Sequence, residues 1–123
     1  MMPKKSPKAL KKKCDVLWSK IIRSKGYCEK CGKSENLQAA HIFSRTYSQT
    51  RHDLDNGICL CSACHIGWSH ACPTEFTKWL EEYRGKELLE RLSKKRRITG
   101  KVDYGEVLER LVSWSAEGGW LEG

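Results

Sequence analysis

The sequence predicts a small α+β domain, and three observations lead to this fold class. Two short apolar stretches, residues 37–43 and 57–61, have the length of strands and are separated by a polar loop. Two Cys-x-x-Cys pairs flank this strand–loop–strand region. Apolar residues at three- and four-residue spacing precede and follow it, which predicts helices on both sides. We therefore expect a small metal-braced core between an N-terminal basic helix and C-terminal helices.

The length of 123 residues favours one domain with a modest core. Residues 1–7 contain two prolines and no apolar period, so we expect a flexible basic tail. The single domain then covers residues 8–123, with an N-terminal helix at 8–25, a braced core at 26–72 and helices at 73–123.

The predicted first helix has its apolar positions between Leu10 and Ile22 and ends before Gly26. Its polar face is rich in lysine. Residues 1–33 hold eleven Lys and Arg against two acids, and a second basic cluster follows at 94–97. A basic arm predicts a polyanionic partner, so nucleic acid is the preferred interpretation, and a solvated arm that aids solubility is the alternative. The candidate contacts are Lys11, Lys12 and Lys13.

The remaining elements follow in order along the chain. Strand 37–43 leads into a loop at 44–56, and strand 57–61 leads into a helix from about Ser62. Thr74 is a candidate cap for the next helix, with Gly85 as a candidate break. A helix at 86–92 and a last helix follow, and the last is predicted to begin with a capping box of Asp103 and Glu106.

The cysteine pairs have the spacing of a zinc site, because a two-residue gap lets both sulfurs of a pair reach one ion. Twenty-nine residues separate the pairs, and four thiolates predict a closed, structural Zn²⁺ site. Redox-active dithiols or unligated cysteines are the alternatives. The proposed ligands are Cys28, Cys31, Cys61 and Cys64.

The cellular setting is predicted from the cysteines and from hydropathy. Seven cysteines without an apolar leader favour metal-bound thiolates in a reducing cytoplasm over disulfides. No run approaches eighteen apolar residues, so we expect no membrane span. Cys14 and Cys59 fall on apolar faces and are expected to be buried.

A histidine-containing pattern lies among the cysteines. His41 ends the first predicted strand, Asn56 ends the loop, and His65 directly follows Cys64, giving "AHIFSR…RHD..N…LC..CH". This pattern over about residues 27–80 resembles the HNH, or ββα-metal, nucleases. It is similar in particular to small phage HNH proteins grouped with the NinG recombination proteins. The resemblance implies a zinc-braced ββα-metal fold and a metal-dependent DNA endonuclease.

Phosphodiester hydrolysis requires a base to activate water and a divalent cation to offset developing charge. A neutral imidazole is a suitable base at physiological pH, and His41 is the candidate. The resemblance implies that Asn56 orients the base or braces the loop. His65 is the candidate ligand for the catalytic cation, Mg²⁺, Mn²⁺ or another divalent ion.

One position departs from the family pattern. The residue before the base is often a metal-ligating Asp or His, but here it is Ala40. His70 is a tentative second ligand, with Asp53 and Asp55 as alternatives on the loop. A further possibility is that His41 itself ligates the metal while another group acts as base, and His52 ranks below His41 for that role.

The expected partner is DNA, with Arg45 and Arg51 presenting guanidinium groups to phosphates. We expect a monomer that nicks or a homodimer that breaks both strands, in phage-related DNA metabolism in the cytoplasm of a bacterial host. One alternative is a non-catalytic zinc module that binds nucleic acid. Another is a protein-binding zinc domain with a partner surface formed by Trp68, Trp79, Trp114 and Trp120.

Overall fold

The structure is a computed structural model that describes residues 6–115, and it has the small α+β fold that the sequence predicts. A two-stranded antiparallel hairpin lies among helices. The elements are α1 (Pro7–Arg23), β1 (Leu37–His41), a 3-10 turn (Leu54–Asn56), β2 (Gly57–Cys61), a π-helical segment (Ala63–Ser69), α2 (Pro73–Arg84), α3 (Lys86–Arg96) and α4 (Tyr104–Trp114).

The predicted tail at 1–7 falls mostly outside the described residues. Ser6 and Pro7 are described, and they begin α1: the Ser6 hydroxyl accepts a hydrogen bond from the Ala9 backbone N–H at 3.2 Å. Among residues 6–115, every helix is too short or too polar to cross a bilayer.

The hairpin pairs Leu37 with Cys61 at one end and His41 with Gly57 at the other. Every residue of β2 is buried, whereas most of β1 is half-buried. β1 ends at His41, two residues earlier than predicted, because Phe43 already belongs to the loop. There its backbone N–H donates to the side chain of Asn56 at 2.8 Å.

Two apolar clusters hold the hairpin between helices. One joins the strands and the cysteine region to α2, through Ile58, Leu60, Phe76 and Leu80. The other joins α1 to α4, through Cys14, Trp18, Ile21, Val107 and Leu111. Cys14 and Cys59 are fully buried, as predicted. The hairpin is therefore fixed from two directions, and α1 is one of its supports.

The predicted helix starts are partly confirmed. α2 begins at Pro73 after Cys72, which makes no side-chain cap, so the prediction of Thr74 as the cap is wrong. Proline is suited to the first helical position because no intrahelical partner exists there for an N–H group. Asp103 caps α4 by accepting from the backbone N–H groups of Gly105 and Glu106. Gly85 separates α2 from α3 with a φ of 92°.

Candidate functional site

The four predicted zinc ligands converge beside the hairpin. The sulfur atoms of Cys28, Cys31, Cys61 and Cys64 lie within 4.8 Å of one another, and the Sγ atoms of Cys31 and Cys61 are 3.6 Å apart. Tetrahedral zinc with Zn–S bonds of about 2.3 Å places its sulfurs about 3.8 Å apart. The arrangement thus fits a closed site of the structural type.

The protonation chemistry of the cluster also favours a cation. Burial raises the pKa of the Cys28 thiol, but hydrogen bonds from backbone N–H groups outweigh this effect and lower the pKa to about 6. Burial and the three neighbouring sulfurs raise the pKa of Cys64. Four thiolates at this spacing repel one another unless a cation sits between them, and Zn²⁺ supplies that charge.

The residue after Cys28 connects the cluster to the rest of the fold. The Glu29 carboxylate accepts from the backbone N–H of Cys59 at 2.7 Å and from the Tyr83 hydroxyl at 2.8 Å. Arg84 of α2 lies 3.2 Å from the same carboxylate. The first cysteine turn is thereby fixed against both β2 and α2.

A cleft of about 540 Å³ between α1 and the hairpin is lined by three of the sequence-predicted histidines, His41, His65 and His70. Its lining comes from α1, from β1 and the loop that follows it, and from the π-helical segment with His70 at its end. The lining residues are Asp15, Trp18, Ser19, Ala39, His41, Ser44, Arg45, Arg51, His65 and His70.

His41 is held in the protonation state that a general base needs. Its Nε2 lies 3.0 Å from the backbone carbonyl oxygen of Arg51. A carbonyl only accepts, so Nε2 carries the proton and Nδ1 keeps its lone pair. Burial lowers the pKa of His41 to about 4, against the raising effect of this hydrogen bond. The imidazole is therefore neutral at physiological pH.

Trp18 of α1 stacks on His41, a contact that sequence analysis did not identify. The ring centroids are 4.1 Å apart and the ring planes differ by 14°. Gly57, paired with His41 across the hairpin, makes room for this ring: a Cβ there would lie 2.7 Å from the Trp18 ring and closer still to Ile22. A glycine at position 57 was the one sequence feature that could have indicated a close contact at this point of the hairpin. The sequence does not show that the contacting residue is Trp18.

His65 and His70 lie on the same wall of the cleft. Their ring centroids are 4.6 Å apart, and the backbone N–H of His70 donates to the His65 carbonyl. This is the i to i+5 hydrogen bond of a π-helix, and it places residues five apart on one face. In an α-helix the same two residues would diverge.

The orientation of His65 depends on Gln38, another residue that sequence analysis missed. His65 Nδ1 lies 2.8 Å from Gln38 Oε1, which accepts its proton and leaves Nε2 free to ligate a cation. Burial, followed by the charge of His70, lowers the pKa of His65 and favours the neutral, ligating form. Strand alternation marks Gln38 only as a half-buried position.

Asn56 lies behind the cleft rather than within it. Its side chain is fully buried, accepts from Phe43 N–H, and donates to the carbonyl oxygens of Phe43 and Thr50. Of the two roles that the resemblance implies, this geometry corresponds to bracing the loop. No contact with the His41 ring is recorded among the described residues.

The two arginines of the loop differ. Arg45 is exposed at the cleft rim, where a phosphate can reach it. Arg51 is buried and donates twice to Asp15, with both distances 2.8 Å, and once to the Arg45 carbonyl at 3.2 Å. The prediction that Arg51 presents its guanidinium to phosphate therefore needs correction, because these contacts already occupy the group. His52 is also buried, and it too binds Asp15, at 2.6 Å.

The surroundings of Ala40, Asp53 and Asp55 narrow the choice of a second ligand for the catalytic cation. Ala40 is buried in the cluster with Ile58 and Leu60, so a carboxylate there would enter the core. Asp53 binds Lys95 at 2.7 Å, and Asp55 binds Arg91. Both carboxylates face α3 and neither lines the cleft, which leaves His70 beside His65.

The basic residues predicted to contact nucleic acid differ in exposure. Lys12 and Lys13 are exposed, whereas Lys11 is half-buried with its ammonium 5.8 Å from the centre of the Tyr104 ring. In the 94–97 cluster, Lys95 and Arg96 contact the loop, and Lys94 and Arg97 remain exposed.

The four tryptophans of the alternative partner surface do not form one patch. Trp68 and Trp79 pack on the α2 side of the hairpin, their ring centroids 5.7 Å apart. Trp114 packs with α1 and α4 on the other side. Trp120 lies outside the described residues.

Comparison with known proteins gives a match for one region of the chain. Residues 28–71 match the family model described as HNH endonuclease. Neither curated proteins nor solved structures gave a significant match. The matched segment contains the four cysteines, the hairpin, Asn56, His65 and His70, whereas α1 precedes it. Residues 28–71 are thus similar in sequence to the HNH endonuclease family, and their hairpin with the four-cysteine cluster beside it is consistent with an HNH ββα core.

Proposed function

We propose that this protein is a metal-dependent HNH-type endonuclease that hydrolyses DNA phosphodiester bonds. The observation that carries the proposal is one cleft lined both by His41, a neutral base whose Nδ1 keeps its lone pair, and by the neighbouring rings of His65 and His70. A base and a ligand pair sharing a cleft are what hydrolysis of a phosphodiester requires.

The base is oriented before substrate arrives. The hydrogen bond from Nε2 to the Arg51 carbonyl and the stack on Trp18 hold the His41 ring, so Nδ1 can take a proton from a water in the cleft. As the ring becomes positively charged, the Arg51 carbonyl stabilises the proton on Nε2. The low pKa of His41 keeps the base available at neutral pH.

His65 and His70 are the residues that would hold the catalytic cation. Gln38 fixes the tautomer of His65, and the π-helical turn keeps His70 beside it. Two imidazoles leave most coordination positions for water and phosphate oxygens, as an active-site ion requires. A bound divalent cation would supply Lewis-acid stabilisation of the developing charge on the phosphate.

The DNA backbone is proposed to follow α1 along the cleft. Asp15 and Ser19 of α1 line the cleft, and residues three or four positions apart share a helix face. Lys8, Lys12 and Arg23 continue that face at both ends and are exposed. Positive charge thus flanks the cleft on one side, with Arg45 at its rim, and phosphates are the groups it attracts.

A single cleft cuts one strand per encounter, so the proposed monomer is a nicking enzyme. A homodimer would break both strands. The resemblance to phage HNH proteins suggests a role in phage-related recombination, replication or packaging of DNA. The alternative function, a zinc module that binds nucleic acid without cutting it, shares the basic helix and the cysteine cluster but gives no reason for a neutral His41 in the same cleft as two neighbouring histidines.

The test is nicking of supercoiled plasmid with Mg²⁺ or Mn²⁺, which EDTA should abolish. Because loss of a general base typically costs about 10² to 10⁴ in rate, His41→Ala should reduce cleavage by that factor. Its zinc content and DNA affinity should match those of the unsubstituted protein.

Two results would contradict the assignment. DNA binding without cleavage under every divalent ion would favour the non-catalytic module. Near-normal cleavage by His41→Ala together with an inactive but folded His52→Ala would show that His41 is not the base.

A further inference from the structure

Asp15 lines the cleft, but its carboxylate is already bound to two residues of the loop, Arg51 and His52. Its two carboxylate oxygens accept from Nε and Nη2 of Arg51 at 2.8 Å each, in a bidentate pair. One of them also accepts from His52 Nε2 at 2.6 Å. Burial raises the pKa of Asp15, but the hydrogen bonds from Arg51 and His52 outweigh this and lower it to about 2. The carboxylate is therefore charged at neutral pH.

The two residues that Asp15 holds include the partner of the candidate base. The Arg51 backbone carbonyl is the acceptor for His41 Nε2, so the side chain of Arg51 anchors to α1 while its backbone orients the imidazole. Bidentate carboxylate–guanidinium pairs fix geometry as well as distance. The side chains of Arg51 and His52 are almost fully buried, so this anchor is shielded from water on the loop side.

We propose that Asp15 is a positioning residue for His41, acting through Arg51. By fixing Arg51 against α1, it holds the carbonyl that keeps the proton of His41 on Nε2 and the lone pair on Nδ1. The proposal rests on the proposed function for its catalytic consequence, but the effect on the His41 tautomer does not depend on cleavage. Asp15 lies in α1, outside the segment that matches the HNH family.

A competing role for Asp15 is direct ligation of the catalytic cation, since its side chain is 37% exposed and lines the same cleft. The geometry favours positioning, because both oxygens already accept from Arg51 or His52. The two roles predict different metal dependence. Loss of a ligand raises the cation concentration needed for half-maximal cleavage, whereas displacement of a base leaves it unchanged.

The test compares Asp15→Asn with Arg51→Lys and with the double variant, all zinc-loaded and checked for folding by thermal melting. Misplacement of a reacting group by about 1 Å can cost about 10²-fold in rate. We expect Asp15→Asn to lower kcat by at least about tenfold, with KM and the Mn²⁺ requirement within about twofold. Both changes break the same Asp15–Arg51 linkage. The loss of kcat in the double variant should therefore be no larger than the loss in the more severe single variant.

Asp55→Asn is the matched control. Asp55 lies four residues after Arg51, but its carboxylate pairs with Arg91 of α3 and does not line the cleft, so kcat should stay within about twofold. The proposal would be overturned if the losses of kcat in Asp15→Asn and Arg51→Lys multiplied in the double variant. A raised Mn²⁺ requirement in Asp15→Asn, or an equal loss of kcat in Asp55→Asn, would also overturn it.

A second measurement separates this proposal from the proposed function. Imidazole ¹⁵N NMR of the zinc-loaded protein, without DNA or added cation, reports which nitrogen of His41 carries the proton. We expect protonated Nε2 in the unsubstituted protein and in Asp55→Asn, and a mixture of tautomers in Asp15→Asn. If the protein cuts no DNA but this pattern holds, the nuclease assignment fails and the positioning role stands. Unchanged His41 signals in a folded Asp15→Asn would overturn it.

Discussion

The two ends of the hairpin are organised in different ways. At the end where Leu37 pairs with Cys61, all four cysteines come from two short motifs, and each motif forms its own turn. At the end where His41 pairs with Gly57, the candidate base depends on α1, on a loop carbonyl and on a glycine that admits Trp18. Each half of the cysteine cluster is set by local spacing and only the pairing of the halves needs the hairpin, whereas the cleft depends throughout on contacts between distant residues.

The largest expected effect comes from removing one ligand of the cysteine cluster. Binding of structural zinc contributes about 10–16 kcal/mol, comparable with or greater than the stability of a small domain. Cys64→Ser should therefore lose both the zinc and the cooperative thermal transition. Metal analysis and circular dichroism measure the two effects.

Cys72→Ser is the matched control, because Cys72 is a half-buried cysteine outside the cluster. It should keep about one zinc per chain and a thermal transition close to that of the unsubstituted protein. A folded Cys64→Ser protein that retains stoichiometric zinc would contradict the four-cysteine ligand set.

The same difference explains what could be predicted from sequence. Cys28 and Cys31 need only a two-residue gap to face one ion, so the motif specifies its own geometry. His41 and His65 were identifiable by their places relative to the cysteines. Trp18, by contrast, is indistinguishable in sequence from any apolar helix position, and its contact with His41 depends on how α1 packs.

The helix after the second cysteine pair shows a second limit. The sequence predicts a helix from about Ser62, but not that its hydrogen bonds run from residue i to i+5. Under ordinary α-helical geometry, His65 and His70 are poorly placed to share an ion. The added residue per turn brings them to one face, and this depends on backbone packing that local propensity does not encode.

The next largest effect concerns this pair. If His65 and His70 share the catalytic cation, His70→Ala should raise the Mn²⁺ concentration for half-maximal cleavage by about tenfold or more, and excess Mn²⁺ should partly restore the rate. His65→Ala should be more severe, because His65 is oriented by Gln38 and lies deeper, whereas His70 is exposed. Metal titrations of plasmid nicking measure both.

The structural zinc should be unaffected in both histidine variants, since neither ring belongs to the cysteine cluster. This control separates the cleft from the cysteine cluster directly. An unchanged Mn²⁺ dependence in His70→Ala would remove His70 from the ligand set and transfer its role to one of the alternatives, of which His41 lines the cleft whereas Asp53 and Asp55 do not.

The smallest effect tests whether α1 serves the cleft as a DNA contact as well as a support. Its cleft face carries Lys8 and Lys12, whereas Lys13 and Lys20 are exposed on another face of the same helix. Each phosphate contact contributes a slope of about 0.9 in log K against log salt on duplex DNA. The double variant Lys8→Gln, Lys12→Gln should therefore reduce the salt slope of binding by up to about 2, as measured by titration at several salt concentrations.

The double variant Lys13→Gln, Lys20→Gln is matched to it in net charge and in helix propensity. If phosphates run along the cleft face, this control should change the slope by much less than the first pair, because it removes only diffuse attraction that salt screens. Equal slopes for the two double variants would mean that α1 attracts DNA through its net charge alone. Its fixed contribution to the cleft would then be the packing of Trp18 and the anchoring of Arg51 by Asp15.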